Sequence, residues 1–185
     1  IFIPMAGKGT RLRPFTLTCP KPLINILDKP IVEHLIDQIT SKVESNIDEI
    51  VYILGDELYF NSEVVNSLKI ISEKYNAKTK IYRQLEQLGT GHAIMCAEES
   101  LSGPSIIAYA DTMIQGNIEI DTNVDGIMWV KKVDNPSSYG VVNLDNENKI
   151  IELIEKPSEF ISDLAVVGIY YFKEAANLRG YLKNH

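Results

Sequence analysis

Four short apolar runs alternate with stretches of helical periodicity over the first 110 residues, and this alternation constrains the fold more than any other feature. Between the runs, apolar side chains recur every three or four residues, as in residues 30–39 and 64–75. Strands that alternate with helices predict a parallel sheet with right-handed crossovers. The predicted strands are residues 1–3, 48–54, 80–84 and 105–110.

Glycine and polar residues lie at or just beyond the ends of these strands, namely Gly7, Gln84, Gly89 and Asp111. The carboxyl ends of parallel strands meet at one edge of a sheet, and open α/β sheets bind their ligands there. We therefore expect these residues to share one rim, which is the predicted ligand site.

The pattern changes after Gly126, where strands dominate. A composition of 45% hydrophobic and 23% charged residues in 185 residues fits one globular domain with a sizeable core. We expect the second part of the chain to convert the parallel sheet into a mixed one. The predicted elements are strands at 127–133, 139–144, 149–155 and 164–172 and a helix near 173–183.

A glycine-rich turn follows the first strand, within Pro-Met-Ala-Gly-Lys-Gly-Thr-Arg-Leu-Arg-Pro at residues 4–14. Glycines let a backbone turn tightly and approach a ligand, and successive N–H groups in such a turn can form a concave anion site. The cations that precede the first acidic residue, Asp28, are Lys8, Arg11, Arg13 and Lys21. The turn and its charges together predict a polyphosphate site.

Two known phosphate motifs are excluded. The P-loop requires Gly-Lys followed by Ser or Thr, whereas Gly9 follows Lys8 in this chain. The dinucleotide fingerprint requires a third glycine three residues after the second, where this chain has Leu12. The alternative interpretation is a glycine-rich loop with solvated basic side chains.

Charge narrows the class of partner, and cysteine usage indicates the cellular compartment. The formal net charge of −7 argues against nucleic acid or an anionic membrane as the main partner. Residues 1–30 nevertheless carry five basic side chains and one acidic one, which suits a small anionic substrate. Cys19 and Cys96 are isolated from each other and from any metal-binding spacing. We therefore expect reduced thiols and a cytoplasmic protein.

The pattern G-x-G-T-R-L-x-P at residues 7–14, followed by Pro-Lys-Pro at 20–22, resembles the signature of the sugar-1-phosphate nucleotidylyltransferases, or NDP-sugar pyrophosphorylases. The resemblance implies a Rossmann-like three-layer α/β fold with a mixed sheet, of the glycosyltransferase-A kind. It implies one nucleotidyltransferase domain over residues 1–185, with a nucleotide-binding half at about 1–115 and a sugar-binding half at about 116–185. Family members are usually longer, so we expect the chain to be truncated at its C-terminus.

For the triphosphate, the resemblance implies that Arg11 and the backbone of the glycine-rich turn hold the β- and γ-phosphates. It also implies that Lys21 neutralises the α-phosphate. Arg11, Lys21 and Asp111 are the predicted catalytic residues. The turn residues predicted to bind nucleotide are Ala6, Gly7, Lys8, Gly9 and Thr10.

The segment Gln84-Leu-Glu-Gln-Leu-Gly89-Thr90-Gly-His92 resembles the base-reading loop of uridylyl- and thymidylyltransferases. A primary amide such as that of Gln84 offers an acceptor and donors, so it can pair with the O4/N3–H edge of uracil or thymine. Gly89 and Thr90 complete the predicted nucleotide site. We interpret His92 as structural, because phosphoryl transfer of this kind needs no general base.

The second half of the resemblance concerns the sugar phosphate. It implies that a glycine of Tyr-Gly, the Glu of Glu-Lys-Pro and a later glycine border the sugar ring, and that the Lys holds its phosphate. These residues are Gly140, Glu155, Lys156 and Gly168. Enzymes for N-acetylglucosamine tend to carry Asn where this chain has Val166, which favours a plain hexose.

Asp111 is the predicted Mg²⁺ ligand. It follows an apolar strand, and Mg²⁺ binds through carboxylate oxygen together with substrate phosphates. The family usually has Gly-Asp at this place, and this chain has Ala110-Asp111. The family also supplies a second metal-ligating Asp or Asn further downstream than His185, which is where this sequence ends.

The predicted function is transfer of a nucleoside monophosphate from UTP or dTTP to a hexose 1-phosphate, giving NDP-sugar and pyrophosphate. The predicted partners are a nucleoside triphosphate and a sugar 1-phosphate, without nucleic acid or membrane. One alternative is a cytidylyltransferase that acts on an alcohol phosphate such as phosphocholine, which Gln84 and Glu155-Lys156 disfavour. Another is a nucleotide-sugar-binding regulatory homologue without turnover. The sequence leaves the base, the hexose and a homo-oligomer open.

Overall fold

The computed structural model describes residues 1–43, 45–112 and 120–183. Its strands are β1 (Phe2–Pro4), β2 (Asn25–Ile26), β3 (Lys29–Pro30), β4 (Glu49–Leu54), β5 (Lys78–Arg83), β6 (Ser105–Ala108), β7 (Gly126–Lys132), β8 (Gly140–Leu144), β9 (Ile150–Glu155) and β10 (Leu164–Phe172). Its helices are α1 (Ile31–Thr40), α2 (Ser62–Glu73), α3 (Thr90–Met95) and α4 (Ala175–Lys183).

Eight strands form one mixed sheet in the order β5-β4-β1-β6-β10-β8-β9, and β7 also pairs with β10. The strands β5, β4, β1 and β6 are parallel to one another, as the alternation of strands and helices predicted. The β10 strand is antiparallel to β6, β7 and β8. The remaining two strands, β2 and β3, form a separate short hairpin.

The sheet is covered by helices on both faces, which gives three layers. The strand β4, next to the edge strand β5, is apolar because alternate side chains enter two different cores. On one face Tyr52 packs with residues of α1 and α2, such as Val32 and Leu68. On the other face Val51 and Ile53 pack with residues of α3 and α4.

Two local elements differ from the expectation. The sequence predicts a helix that reaches about Glu99, whereas α3 ends at Met95 and a 3₁₀ turn at Glu98–Ser100 follows it. Of the two residues between them, Ala97 has a backbone outside the helical range (φ −109°, ψ 28°). The sequence also predicts a short extended segment at residues 23–27, of which β2 is extended, while Leu23 ends a 3₁₀ turn at Lys21–Leu23.

None of the helices within residues 1–43, 45–112 and 120–183 has both the length and the apolarity needed to cross a bilayer.

Candidate functional site

The backbone after β1 leaves the sheet as a series of single 3₁₀ turns, at Thr10–Leu12, Phe15–Leu17 and Lys21–Leu23. Gly9 enters the first of them in the left-handed conformation (φ 59°, ψ 38°). A Cβ on Gly9 would lie 3.0 Å from Cβ of Lys21 and 3.1 Å from a methyl group of Thr16. Glycine is therefore required here both by the backbone and by the close approach of two side chains.

Gly7 differs from Gly9. Its φ is not in the left-handed region, and a Cβ on it would meet no atom within 4 Å. Gly7 lies in the wall of a cleft of about 670 Å³ between the glycine-rich turn and the end of β6. The missing side chain leaves open space on the cleft side of the backbone, which is what a phosphate approaching the N–H groups requires.

An ion pair joins the turn to the end of β6. The Lys21 Nζ atom lies 3.0 Å from Asp111 Oδ2, although the two residues are 90 apart in the chain. The Lys21 side chain is 30% exposed and that of Asp111 is 58% exposed, so solutes can reach the pair. The structure thus brings the predicted phosphate cation and the predicted metal ligand into one cleft.

The other early cations have different surroundings. Lys8 also lines the cleft, and its Nζ atom lies 3.4 Å from Asp56 Oδ2. The backbone N–H of Tyr59, together with Lys8, lowers the pKa of Asp56 below its ordinary value. Arg11 lines the cleft, and it forms no ion pair with any residue in the described ranges. Lys8 and Lys21 are each paired with a carboxylate, so Arg11 is the cleft-lining cation of the described residues whose charge has no ion-pair partner.

Gln84 is buried, with 5% of its surface exposed, and its amide faces the protein. The Nε2 group donates to the Gly89 carbonyl oxygen at 2.9 Å and contacts His92 Nδ1 at 3.2 Å. Gly89 is left-handed (φ 101°), and a Cβ on it would meet no atom within 4 Å. The amide of Gln84 therefore holds the turn at Gly89, and His92 has the structural contact that we expected.

Gln87 and Tyr109 line the cleft, and sequence analysis did not single them out. The Gln87 Nε2 group donates to the Ala6 carbonyl oxygen at 3.3 Å, so it joins the Gln84–Gly89 segment to the glycine-rich turn. A signal for Gln87 was present, since it lies in the same short segment as Gln84. Tyr109 lies two residues before Asp111, at the predicted strand end.

Tyr109 connects the end of β6 with the irregular middle of β10. Its ring is edge-on to that of Tyr170, with centroids 6.3 Å apart, and burial raises the pKa of its hydroxyl. Its backbone N–H donates to the Gly168 carbonyl oxygen at 3.2 Å. A Cβ on Gly168, which is left-handed (φ 83°), would lie 3.0 Å from the Tyr109 ring. Gly168 therefore lets β10 pass close to the cleft wall.

The remaining predicted sugar residues form a second group on β8 and β9. A Cβ on Gly140 would lie 2.9 Å from Glu155 Oε2, so the carboxylate lies directly against this glycine. Lys156 is left-handed (φ 47°), and its Nζ lies 3.6 Å from Glu155 Oε1. Both side chains are largely exposed. The structure brings Gly140, Glu155 and Lys156 together, and no contact joins them to Lys21 or Asp111 in the described part of the chain.

The donor set for a metal ion is small. No group of three or more His, Cys, Asp or Glu side chains converges within residues 1–43, 45–112 and 120–183. Asp111 offers an exposed carboxylate in the wall of a cleft whose other charged side chains are the cations Lys8, Arg11 and Lys21. That arrangement fits Mg²⁺, which is often held by one carboxylate plus substrate phosphates.

Known proteins resemble this chain over nearly its whole length. A family model described as nucleotidyl transferase matches residues 3–183. The bifunctional protein GlmU of Methanococcus maripaludis (strain S2) is 36% identical over 181 residues, which cover 97% of this chain and 41% of that protein. The catalytic subunit beta of mannose-1-phosphate guanylyltransferase of Drosophila pseudoobscura pseudoobscura is 32% identical, over 91% of this chain and 46% of its own length. The chain thus spans less than half the length of either relative.

Solved structures share the same arrangement of strands and helices. A putative glucose-1-phosphate thymidylyltransferase from Bacillus anthracis superimposes with a TM-score of 0.82 at 25% identity, over 98% of this chain and 73% of that one. A UDP-glucose pyrophosphorylase complexed with UDP-glucose gives a TM-score of 0.77 at 24% identity, over 98% and 78%, which supports the fold alone. The fold is therefore the expected Rossmann-like nucleotidyltransferase fold with a mixed sheet. As the resemblance of its opening turn implied, the chain belongs to the nucleotidyl transferase family.

Proposed function

We propose that this chain transfers a nucleoside monophosphate from UTP or dTTP to a hexose 1-phosphate and releases pyrophosphate. The observation that carries the proposal is the 3.0 Å pair between Lys21 Nζ and Asp111 Oδ2, beside the glycine-rich turn. A cation, a carboxylate and open backbone N–H groups in one cleft are the groups that a triphosphate and its counter-ion need.

The reaction brings two anions together, so the protein must position them and neutralise their charge. An oxygen of the sugar phosphate attacks the α-phosphorus, and the bond between that phosphorus and the pyrophosphate oxygen breaks. Arg11 and the backbone of residues 6–10 would bind the β- and γ-phosphates and stabilise the leaving group. Lys21 would neutralise the α-phosphate and the incoming phosphate.

Asp111 would hold Mg²⁺ together with phosphate oxygens of the nucleotide. When bound, the ion would supply Lewis-acid charge neutralisation and orient the phosphates. Lys21 would then exchange its contact with Asp111 for contacts with the substrate phosphates, because the Asp111 carboxylate would be holding Mg²⁺.

For the sugar phosphate, we propose that residues 116–185 form the binding half, and that residues 1–115 bind the nucleotide. Glu155, held against Gly140, can accept from two sugar hydroxyl groups. Lys156 supplies a flexible point charge for the phosphate. Gly168, against the Tyr109 ring, would border the sugar on the cleft side.

The base is proposed from Gln84 and its neighbours. The amide nitrogen of Gln84 is bonded within the protein, so this residue would act through its carbonyl oxygen and by holding Gly89 and Thr90. A relative is named as a guanylyltransferase and a structural neighbour as a thymidylyltransferase, so the choice among bases needs a direct measurement.

The experiment is a pyrophosphate-release assay with Mg²⁺, across UTP, dTTP, CTP, GTP and ATP, each with several hexose 1-phosphates and with phosphocholine. We expect release with UTP or dTTP and a hexose 1-phosphate. Activity with CTP and phosphocholine alone would support the cytidylyltransferase alternative. Nucleotide binding without release in any combination would support the regulatory alternative and contradict the proposed reaction.

A further inference from the structure

The loop at residues 55–60, which follows β4, is held firmly by the sheet. The Arg83 guanidinium donates to the Gly55 carbonyl oxygen at 2.9 Å and to that of Phe60 at 3.0 Å. The Phe60 ring is fully buried. Within the loop, Asp56 Oδ1 accepts from the backbone N–H groups of Leu58 and Tyr59. These bonds fix the direction in which the Tyr59 side chain leaves the loop.

The Tyr59 hydroxyl contacts the segment that carries the glycine-rich turn. It donates to the Thr16 carbonyl oxygen at 2.7 Å, and the Cys19 carbonyl oxygen lies at 3.2 Å. Thr16 Oγ1 in turn donates to the Gly9 carbonyl oxygen at 2.8 Å. A continuous chain of bonds therefore leads from the fixed loop 55–60 to the left-handed residue of the turn.

The segment needs this support because it has little regular structure of its own. Residues 10–15 are all exposed, and residues 10–23 contain only single 3₁₀ turns. Ordering a backbone costs conformational entropy at each residue, which such isolated turns do little to offset. Side-chain contacts from a rigid neighbour can hold the segment in one conformation.

We propose that Tyr59 is a positioning residue that fixes the glycine-rich turn in the conformation that binds the triphosphate. This proposal rests on the proposed function of the same cleft. Tyr59 acts through Thr16, whose hydroxyl group bonds to Gly9. Arg83, which precedes Gln84 in the chain, anchors the loop 55–60 that carries Tyr59. Loop 55–60 thereby ties the turn that binds phosphate to the strand end that precedes the proposed base-binding segment.

The test uses Tyr59→Phe and Thr16→Val, each of which removes one hydroxyl group at nearly constant volume. We expect KM and Kd for the nucleoside triphosphate to rise about three- to tenfold in each, the effect of one lost hydrogen bond. KM for the sugar phosphate and kcat at saturation should change less than twofold, because both hydroxyl groups act on the turn that binds the nucleotide. Because both hydroxyl groups act on one turn, the double variant should lose less than the product of the single effects.

The control is Tyr82→Phe, which also removes a tyrosine hydroxyl group, one that bonds to Ser100 at 3.0 Å. This pair has no part in the cleft wall, so KM and Kd for the nucleotide should stay at their wild-type values. Equal nucleotide constants in Tyr59→Phe and Tyr82→Phe would overturn the proposal.

Hydrogen exchange separates this proposal from the proposed function. We expect the Leu12 and Leu17 amides, which close the 3₁₀ turns, to exchange at least threefold faster in Tyr59→Phe, as expected when a hydrogen bond that holds them is lost. If the wild type binds nucleotide without releasing pyrophosphate, the proposed function fails. The nucleotide Kd and the amide exchange rates of the variants still test the role of Tyr59 in that case. Unchanged exchange at both amides would overturn it even in an active enzyme.

Discussion

The two glycines of the opening turn have different physical roles, which the sequence motif alone treats as equal. Gly9 is required by the fold, because its backbone is left-handed and two side chains approach it closely. Gly7 has an ordinary backbone and faces open space in the cleft wall. A glycine needed for folding and a glycine that leaves room for a ligand therefore stand two residues apart.

This difference predicts that an alanine at Gly9 lowers stability, whereas an alanine at Gly7 weakens nucleotide binding. Gly9→Ala should lower the free energy of unfolding by about 1–3 kcal/mol, because alanine is strained in a left-handed backbone and its Cβ would crowd Lys21. Gly7→Ala should change it by less than about 0.5 kcal/mol and instead weaken nucleotide binding. Urea unfolding and nucleotide titration of both variants measure this. Equal stability losses would show that the two glycines are equivalent.

Lys21 and Lys8 form a second matched pair at the residue scale. Both line the cleft, but Lys21 lies against Asp111, whereas Lys8 pairs with Asp56. Lys21→Ala should lower kcat by about 100-fold or more, because it removes charge stabilisation in the transition state. Its effect on nucleotide Kd should be far smaller, and Lys8→Ala should change kcat only slightly. Equal losses in kcat and binding for Lys21→Ala would remove its role in the transition state.

Gln84 shows why single side chains are harder to predict than their positions. Its place at the end of β5 follows from the strand predicted at residues 80–84. Its direction does not, because it depends on the Gly89 carbonyl and on His92, which only the folded turn brings near. Gln87, three residues on, lines the cleft instead. Sequence analysis thus located the segment, and the contacts of the fold decide which amide faces the cleft.

Among the elements, β4 and β10 illustrate what local sequence specifies. The span of β4 is predictable because its apolar run is buried on both faces of the sheet. The span of β10 is also predictable, but its irregularity between Val166 and Tyr170 is not. That irregularity depends on three neighbouring strands at once and on the Tyr109 ring beside Gly168. Pairing partners of this kind are set by tertiary structure, which local propensity does not contain.

The start of α4 gives a prediction about pH. Glu174 Oε1 accepts from the Ala176 N–H at 3.0 Å and from the Gly103 N–H at 2.8 Å. The Ala176 N–H, and then that of Gly103, lower the pKa of Glu174 from its ordinary value of 4.5. A lowered pKa means that the carboxylate contributes stability above the unfolded-state pKa, and that this is lost as the pH falls through the folded-state pKa.

Glu174→Gln should therefore lower the melting temperature at pH 7, because the neutral amide accepts these bonds less strongly. The difference from the wild type should shrink as the pH falls below about 4.5 and the wild-type carboxylate becomes protonated. Thermal unfolding of both proteins between pH 3 and pH 7 measures this. The conservative variant Glu159→Gln, in an exposed loop without bonds of this kind, serves as the control. A difference that stays constant with pH would contradict the assigned cause.

At the scale of the molecule, the parallel half of the sheet follows from the order of strands and helices, and the joining of the two halves does not. The antiparallel pairing of Ile169–Phe172 with Ser105–Ala108 places β10 at the centre of the sheet. The α4 helix then packs beside α3 in the same core. These contacts are long-range, so no local pattern specifies them, yet they bring Gly168 to Tyr109.

The shared sheet predicts that residues 1–115 and 116–185 unfold together. The single tryptophan, Trp129, lies in β7 and packs with α1 residues such as Leu35, so its fluorescence reports on the second half. Far-UV circular dichroism reports mainly on the helices, of which α1, α2 and α3 lie in the first half and α4 in the second. Because β10 connects both halves through one core, the two signals should give the same urea midpoint and slope. Separate midpoints would mean that the antiparallel strands form an independent unit, and the close approach of Gly168 to Tyr109 would then be lost without unfolding the first half.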